Sequence, residues 1–324
     1  MVGLARKFFF ASPELVSKHF SMSLNAHFTV SGENPANFIL ENDIRHFPKV
    51  DKLVRLKNAQ VDKARIPARH VVADLAVNPS LGELLGGNEF EVILVDPPWY
   101  EYFARAGGFE VRREVDQHIG SASIPTNPHP YWSMEEILAL PIASISAPQS
   151  FCFLWCGNRH VEQATACLLH WGFRRIEDVC WIKTNKENRN FDYLPYGAGN
   201  LFKTTKEHLL VGIKGTVQRS TDNHLMHANI DSDVVVAEEP EEFGSKKKPE
   251  EIYRLIERFC NSQRRLELFA TSLRNGWVSV GRDLPGPSTY EPGEFAELTR
   301  NPYLPFDRDI ELLRPKSPKS RRTP

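Results

Sequence analysis

The sequence predicts an α/β fold in which helices cover both faces of a mostly parallel sheet. Short apolar runs such as FEVILV at 90–95 alternate with amphipathic segments, a pattern typical of parallel strands joined by helical crossovers. The chain has 324 residues, of which 41% are hydrophobic and 25% charged, and a net charge of −1. This composition is that of an ordinary globular protein. No run of 18 apolar residues is present, so we expect no membrane contact.

The first elements include two strands that each end in an acid. FPKVDKLVRLKNAQVDKARIP at 47–67 predicts a helix that Pro67 ends. HVVAD and FEVILVD predict buried parallel strands with Asp74 and Asp96 at their carboxyl ends, where ligands of such sheets bind. The stretch 100–131 is rich in Gly, Pro, Ser and Asn, and therefore predicts a loop or lid.

The later elements follow the same alternation. Ser133 with Glu136 three residues later predicts a capping box at a helix start. Further helices are predicted at HVEQATACLLHWGF, ended by Gly172, and at KPEEIYRLIERFC, with Pro249 near its first turn. Further strands are predicted at SFCFLWCG, RRIEDVCWIKTN, TKEHLLVGIKG, SDVVVAEE, RRLELFA and GWVSVG.

The chain divides by pattern into three parts. Residues 1–67 form a helical extension, 68–284 the α/β domain, and 285–324 a proline-rich, basic tail that is not expected to fold alone. The five cysteines form no CxxC pair, which argues against a disulfide framework or a zinc ribbon. We therefore expect a reduced, intracellular protein with no metal site. The net charge near zero means that a nucleic acid would need a local basic patch.

The motif Asp96-Pro97-Pro98-Trp99 predicts a binding surface for an amino group. Each proline fixes φ and removes an N–H donor, so carbonyl oxygens and the Asp96 carboxylate form a surface of acceptors only. The exocyclic amine of adenine offers two hydrogens to such a surface, and Trp99 supplies a ring on which an unpaired base could stack. A strand-end Asp that merely caps a turn is the structural alternative.

These residues carry a resemblance to a known family. DPPW matches the signature of SAM-dependent amino methyltransferases, and FLWCG, WGFRRIEDVCWIKTNK, TKEHLLVGIKGTVQRSTD and GWVSVG resemble, in order, the eukaryotic N6-adenine methyltransferases that make N6-methyladenosine in messenger RNA. The resemblance runs from about residue 34 to 281. It implies a Rossmann-like methyltransferase domain with S-adenosyl-L-methionine (SAM) as cofactor. The flanks NPANFI and IELLRPKSP resemble the RNA-binding partner-subunit branch of that family.

The resemblance also assigns roles to residues. It implies that Asp96, Pro97, Pro98 and Trp99 hold the adenine. The cofactor positions that it implies are Asp74, Leu75, Asp96, Lys206, His208 and Phe269, and the nucleic-acid contacts are Arg174, Arg175, Lys214 and Arg219. A satisfied core histidine is the alternative for His208, and ion pairing with Glu177 or Asp178 is the alternative for the arginines.

At two places this sequence departs from the catalytic branch of the family, and both departures concern cofactor binding. Ala270 to Ser272 follow Phe269, and Arg282 with Asp283 follow GWVSVG, where the catalytic branch has residues that hold the cofactor. The sequence therefore leaves open whether this chain itself binds SAM and catalyses.

The expected function is that of a nuclear subunit that supports a homologous catalytic partner and binds RNA. Two alternatives remain open: a catalytically active N6-adenine methyltransferase, with DNA as a further substrate, and a non-enzymatic nuclear regulator of transcription.

Overall fold

The fold centres on an eight-stranded sheet of order β1-β8-β7-β2-β3-β5-β4-β6. The computed structural model describes residues 48–76, 80–105, 131–184, 204–218, 221–228, 230–240 and 246–314. The strands are β1 (Arg69–Val72), β2 (Phe90–Val95), β3 (Ser146–Cys156), β4 (Arg174–Thr184), β5 (Lys206–Lys214), β6 (Val234–Glu238), β7 (Arg265–Leu268) and β8 (Val278–Gly281). The helices are α1 (Pro48–Ala64), α2 (Leu81–Leu84), α3 (Tyr100–Arg105), α4 (Met134–Leu138), α5 (Val161–His170), α6 (Glu250–Phe259), α7 (Pro292–Leu298) and α8 (Arg308–Leu313).

The predicted mostly parallel sheet is confirmed, and β5 is its exception. β5 pairs antiparallel with β3 on one side and with β4 on the other, whereas the other pairs are parallel. The start of β5 therefore lies at the edge of the sheet where the other strands end. Residues from both kinds of strand terminus meet there.

The sheet is buried on both faces, as the apolar runs predict. In β2 every residue is buried. Ile93 and Val95 face a core that α5 and α7 cover, and Val92 and Leu94 face a second core that α6 covers. This alternation follows from the two-residue period of a strand, and it fixes the face on which each later side chain lies.

Several predicted helix boundaries are confirmed. Ser133 Oγ accepts from the Glu136 amide at 3.2 Å and the Ser133 amide donates to Glu136 Oε2 at 2.6 Å, which completes the capping box. Gly172 has φ +87° just after α5, a left-handed conformation that favours glycine at a helix end. The predicted loop at 100–131 instead begins with α3, and residues 106–130 lie outside the described residues.

Described segments before residue 68 and after residue 284 also pack in the structure. Leu53 of α1, Ile310 of α8 and Ile230 form one buried cluster, and the amides of Thr289 and Tyr290 donate to His70 of the edge strand β1. The prolines beyond Leu284 therefore mark turns within a packed segment that reaches at least residue 314. Among the described residues, no helix combines the length and the apolar character needed to cross a bilayer.

Candidate functional site

Asp96 lies at the carboxyl edge of the sheet, directly after β2. Its amide donates to the Leu268 carbonyl of the neighbouring strand at 3.4 Å, and its side chain is only 11% exposed. Burial raises the pKa of the Asp96 carboxyl above its ordinary value, and the nearby Lys248 ammonium opposes that rise. The motif thus presents a desolvated carboxylate, as a binding surface for an amino group requires.

The carboxylate of Asp96 already has a partner in the chain. Lys248 Nζ lies 3.3 Å from Asp96 Oδ2 and 2.9 Å from Glu207 Oε2. Burial of the ammonium lowers the pKa of Lys248, but the two carboxylates outweigh burial, so its pKa lies above the ordinary value. Lys248 is therefore a charged lysine inside the protein, held by two acids.

The ionic contacts continue beyond Glu207 toward the edge strand β6. Lys183 Nζ lies 2.8 Å from Glu207 Oε1 and 2.8 Å from Glu239 Oε1. Charges of opposite sign thus alternate from Asp96 across three strands to the end of β6. We call Asp96, Lys248, Glu207, Lys183 and Glu239 the ionic chain.

Both proline carbonyls of the motif accept hydrogen bonds within the protein. The Trp99 amide donates to the Pro97 carbonyl at 2.8 Å, and the Trp132 amide donates to the Pro98 carbonyl at 2.9 Å. A carbonyl oxygen has two lone pairs, so each can accept a second donor. These bonds hold the motif against the segment that begins α4.

Trp99 has a packing role that differs from the expected one. It is 2% exposed, and its indole N–H donates to the Trp155 carbonyl at 2.7 Å. Its ring stacks on His160, with centroids 5.0 Å apart. One ring face is therefore occupied by His160, because the motif turns Trp99 back into the core rather than outward to a base.

The positions expected to hold the cofactor lie at the same edge but do not form an assembled site. Asp74 Oδ1 accepts from the Ala76 amide at 3.0 Å, Leu75 is 4% exposed, and Arg282 Nε pairs with Asp283 at 3.1 Å. Phe269 has φ +62°, a strained conformation for a bulky residue that often occurs at functional positions. Its ring meets Trp132 edge to face at 5.0 Å.

Lys206 and His208 lie on the face of the sheet opposite to Glu207, because neighbouring strand residues alternate. Lys206 is exposed at the start of β5. His208 Nδ1 is 2.9 Å from Asp178 Oδ2, so His208 fits the alternative of a partnered core histidine. That both residues line the cofactor cleft stays a prediction.

The basic residues lie at the other edge of the sheet. Arg174 and Arg175 are exposed at the start of β4, and neither forms an ion pair with another part of the described chain. Lys214 Nζ donates to the carbonyls of Ala143 and Ser146 at 3.3 and 3.4 Å. Arg219 lies outside the described residues.

The strand register separates the two groups of residues. Lys214 pairs with Ser150 of β3, while Leu154 of β3 pairs with Val95, the residue before Asp96. Lys214 is therefore roughly 17 Å from Asp96 along the strand axis, at about 3.3 Å per residue. Arg174 and Arg175 pair with Ile213 and Gly212 of β5, so they are roughly 13 and 10 Å from Asp96 along that axis. The structure thus brings Asp96, Pro97 and Phe269 together and keeps Arg174, Arg175 and Lys214 apart from them.

Sequence reasoning missed Glu207, Lys248 and Lys183. A signal was present for the first two: Glu207 opens an otherwise apolar strand, and Lys248 precedes the first turn of an amphipathic helix. What placed them beside Asp96 is the antiparallel direction of β5 and the packing of α6 over β2, which local patterns do not encode.

Comparison with known proteins agrees with this architecture. A family model described as MT-A70 matches residues 90–283. The N(6)-adenosine-methyltransferase non-catalytic subunit METTL14 of Xenopus tropicalis is 40% identical over 302 residues, 90% of this chain and 61% of the frog protein. The protein of the same name in Drosophila melanogaster is 40% identical over 301 residues, 90% of this chain and 71% of the fly protein.

A different relative is less similar. The N(6)-adenosine-methyltransferase MT-A70-like of Arabidopsis thaliana is 33% identical over 244 residues, 69% of this chain and 29% of the plant protein. The chain spans 61% of the length of its frog relative. The fold, the DPPW edge and the match over more than half of the chain lead to one conclusion: this chain belongs to the MT-A70 family, on the branch of the non-catalytic METTL14 subunits.

Proposed function

We propose that this chain is the RNA-binding partner subunit of a heterodimeric, SAM-dependent N6-adenosine methyltransferase that acts on messenger RNA in the nucleus. A homologous catalytic subunit would transfer the methyl group, and this chain would support it and hold RNA. The observation that carries the proposal is the position of Arg174 and Arg175 at the edge of the sheet opposite to Asp96.

The separation has a direct functional meaning. Exposed arginines bind phosphates and position a nucleic acid without reading its sequence. If this chain methylated its own bound RNA, the basic residues would be expected near the carboxylate that accepts the adenine amine. Since they lie at the far edge, they serve an active site outside this chain.

The residues at the expected cofactor position support the same assignment of roles to the two subunits. SAM would have to be held at the carboxyl ends of β1, β7 and β8. Within the part of the chain that the structure describes, Asp74 accepts a hydrogen bond from its own turn and Arg282 pairs with Asp283. These contacts within the chain support assigning the cofactor to the partner.

The partner surface is proposed on α5 and the adjoining side of β4. Leu169 of α5 is 72% exposed and Ile182 of β4 is 37% exposed, on the same side of the sheet. An exposed leucine in a helix next to the basic residues suits an interface that is shared with RNA. A homologous subunit docked there would place its own site near Arg174.

The test uses the complex with its catalytic partner, measuring RNA affinity and methyl transfer at several salt concentrations. Replacing Arg174 and Arg175 together by Ala should weaken RNA binding and reduce the slope of log affinity against log salt by roughly 2, one for each lost phosphate contact.

A matched control removes two exposed arginines elsewhere, Arg55 and Arg300, which are 73% and 78% exposed. Equal slopes in the two double variants would contradict the proposal, and so would full methylation by the isolated chain.

A second candidate is catalysis by this chain itself, on RNA or on DNA. One observation favours it: Asp96 Oδ1 is buried and has no hydrogen-bond partner among the described residues, so it is an acceptor available to an amine. Asp96→Asn in the complex separates the two functions. Unchanged methylation of RNA and DNA oligonucleotides supports the partner-subunit role, and a loss greater than tenfold supports catalysis at Asp96.

A further inference from the structure

The ammonium of Lys248 lies in a four-sided enclosure that we call the cage. Two sides are the carboxylates of Asp96 and Glu207, at 3.3 and 2.9 Å. The other two sides are aromatic rings: the Tyr102 centroid is 4.6 Å from Lys248 Nζ and the Trp155 centroid 4.9 Å.

Each side of the cage attracts a cation. The face of an aromatic ring carries negative charge density and binds ammonium ions within about 6 Å, most strongly where water is excluded. The side chains of Lys248 and Glu207 are 7% and 4% exposed, so water screens these contacts little. Aromatic rings combined with acids are the arrangement by which proteins recognise alkylammonium ligands.

Three walls of the cage have supports other than Lys248. Glu207 is also held by Lys183 at 2.8 Å, and the backbone of Trp155 is fixed in β3 and accepts from Trp99. Tyr102 lies on α3, directly after the motif that contains Asp96. Strands and a helix thus form the site, and Lys248 enters it from the segment before α6.

We propose that the cage is an alkylammonium-binding site of which Lys248 is the internal ligand. In the free chain the site is occupied by the protein's own amine, and an external amine reaches Asp96 Oδ2 only by displacing Lys248. In naming an amine as the competing ligand, the inference rests on the second candidate function, catalysis at Asp96, since that acceptor surface is the one expected to receive an amino group.

The experiment vacates the cage and offers it a small cation. Lys248→Ala removes the ammonium and the stem, and thermal unfolding is then followed in methylammonium chloride and in sodium chloride of equal ionic strength. Methylammonium at about ten times its dissociation constant should raise the melting temperature of Lys248→Ala by roughly 3 °C relative to sodium.

Lys248→Met is the matched control, because its side chain removes the charge but fills the space. It should show no specific response to methylammonium, and neither should the wild type, whose cage is occupied. Tetramethylammonium, which is too large for the space of one ammonium group and donates no hydrogen bond, should stabilise Lys248→Ala less than methylammonium does.

The results decide the inference in each case. A specific shift in Lys248→Ala that is lost on adding Glu207→Gln supports the cage, as does a Lys248→Ala chain that is soluble only with methylammonium. No shift, an equal shift in Lys248→Met, or insolubility with and without methylammonium overturns it. The measurement involves neither RNA nor methyl transfer, so failure here leaves the partner-subunit proposal standing, and failed methylation leaves the cage standing.

Discussion

Two lysines, Lys248 and Lys57, are buried in the part of the chain that the structure describes, and they lie in opposite electrostatic environments. Lys248 is held between Asp96 and Glu207, and its pKa is raised. Lys57 of α1 is fully buried, and its Nζ donates to the neutral amide oxygens of Asn261 at 2.5 Å and Gln60 at 2.8 Å.

The pKa of Lys57 is lowered to about 7, first by burial and then by the neighbouring Arg265 guanidinium. Arg314 lowers it further, while Cys260 and Glu311 act in the opposite sense. Both lysines are buried, so their different partners, two carboxylates or two amides, determine whether each ammonium stays charged. A lysine with two acids marks a polar site, whereas a lysine with amides marks a packed seam between helices.

The largest difference is expected when each lysine is replaced by Met. Lys248→Met leaves Asp96 buried without a cation and Glu207 with Lys183 alone, and it should lower the free energy of unfolding by roughly 3–5 kcal/mol. Lys57→Met should change it by less than about 2 kcal/mol, because it removes an amine that is costly to bury and leaves two amide acceptors without their donor, only one of them buried. Urea unfolding at pH 7 measures both, and equal losses would contradict the comparison.

The pH dependence of stability should come next in size. Between pH 7 and 9 the unfolded chain binds a proton at Lys57 that the folded chain does not, since the folded pKa is about 7. Lys57 should therefore contribute a rise of about 2 kcal/mol to the free energy of unfolding over this range, so the difference in stability between the wild type and Lys57→Met should grow by that amount.

The comparison with Lys57→Met is needed because the buried cysteines act in the opposite direction as the pH approaches 9. Burial raises the pKa of Cys167 from 9.0 to about 12, so the unfolded thiol ionises first and stability falls in both proteins. A difference between the two proteins that stays constant from pH 7 to 9 would show that Lys57 does not titrate as expected.

A smaller effect is expected from Glu267, a buried acid at the Asp96 edge. Burial raises its pKa from 4.5 to about 7, and the Tyr253 hydroxyl, which donates to Oε1 at 2.7 Å, acts against this rise. The folded chain holds a proton there that the unfolded chain releases between pH 4.5 and 7, so stability should fall across that range.

Glu267→Gln keeps the acceptor for Tyr253 but cannot ionise. It should flatten the pH profile and stabilise the protein at pH 7 by roughly 1–2 kcal/mol. Guanidinium titrations at pH 4.5 and pH 7 provide the measurement. Equal gains at both pH values would indicate a packing effect instead.

Local patterns predicted the elements well, and the site only in part. The apolar runs, the capping box at Ser133 and the turn at Gly172 depend on neighbours in sequence, so the sequence alone identifies them. The position of Asp96 at a strand end follows in the same way. The partners of Asp96 do not, because Glu207 and Lys248 reach it through strand order and helix packing.

The differences between the expected and the observed surroundings of these residues have the same physical origin. His208 lies in the predicted strand, but the face of the sheet on which its side chain lies depends on tertiary packing. Glu207, on the opposite face, is the residue that lies on the side of Asp96. Trp99 was expected to meet a base because aromatic rings stack on bases, yet a buried indole needs a partner for its N–H, and the Trp155 carbonyl supplies it. The proline-rich segment after Leu284 packs because its turns return the chain to β1.

The ionic chain also constrains β6, the strand at the end of the sheet. Lys183 and Thr184 of β4 bind Glu239 and Glu238 side by side, at 2.8 and 2.7 Å. A slip of β6 by one residue would turn both acids to the wrong faces and break the line of charges that begins at Asp96. The same contacts therefore fix the register of β6, and they place acidic side chains on an edge strand, where charge opposes pairing with another protein chain.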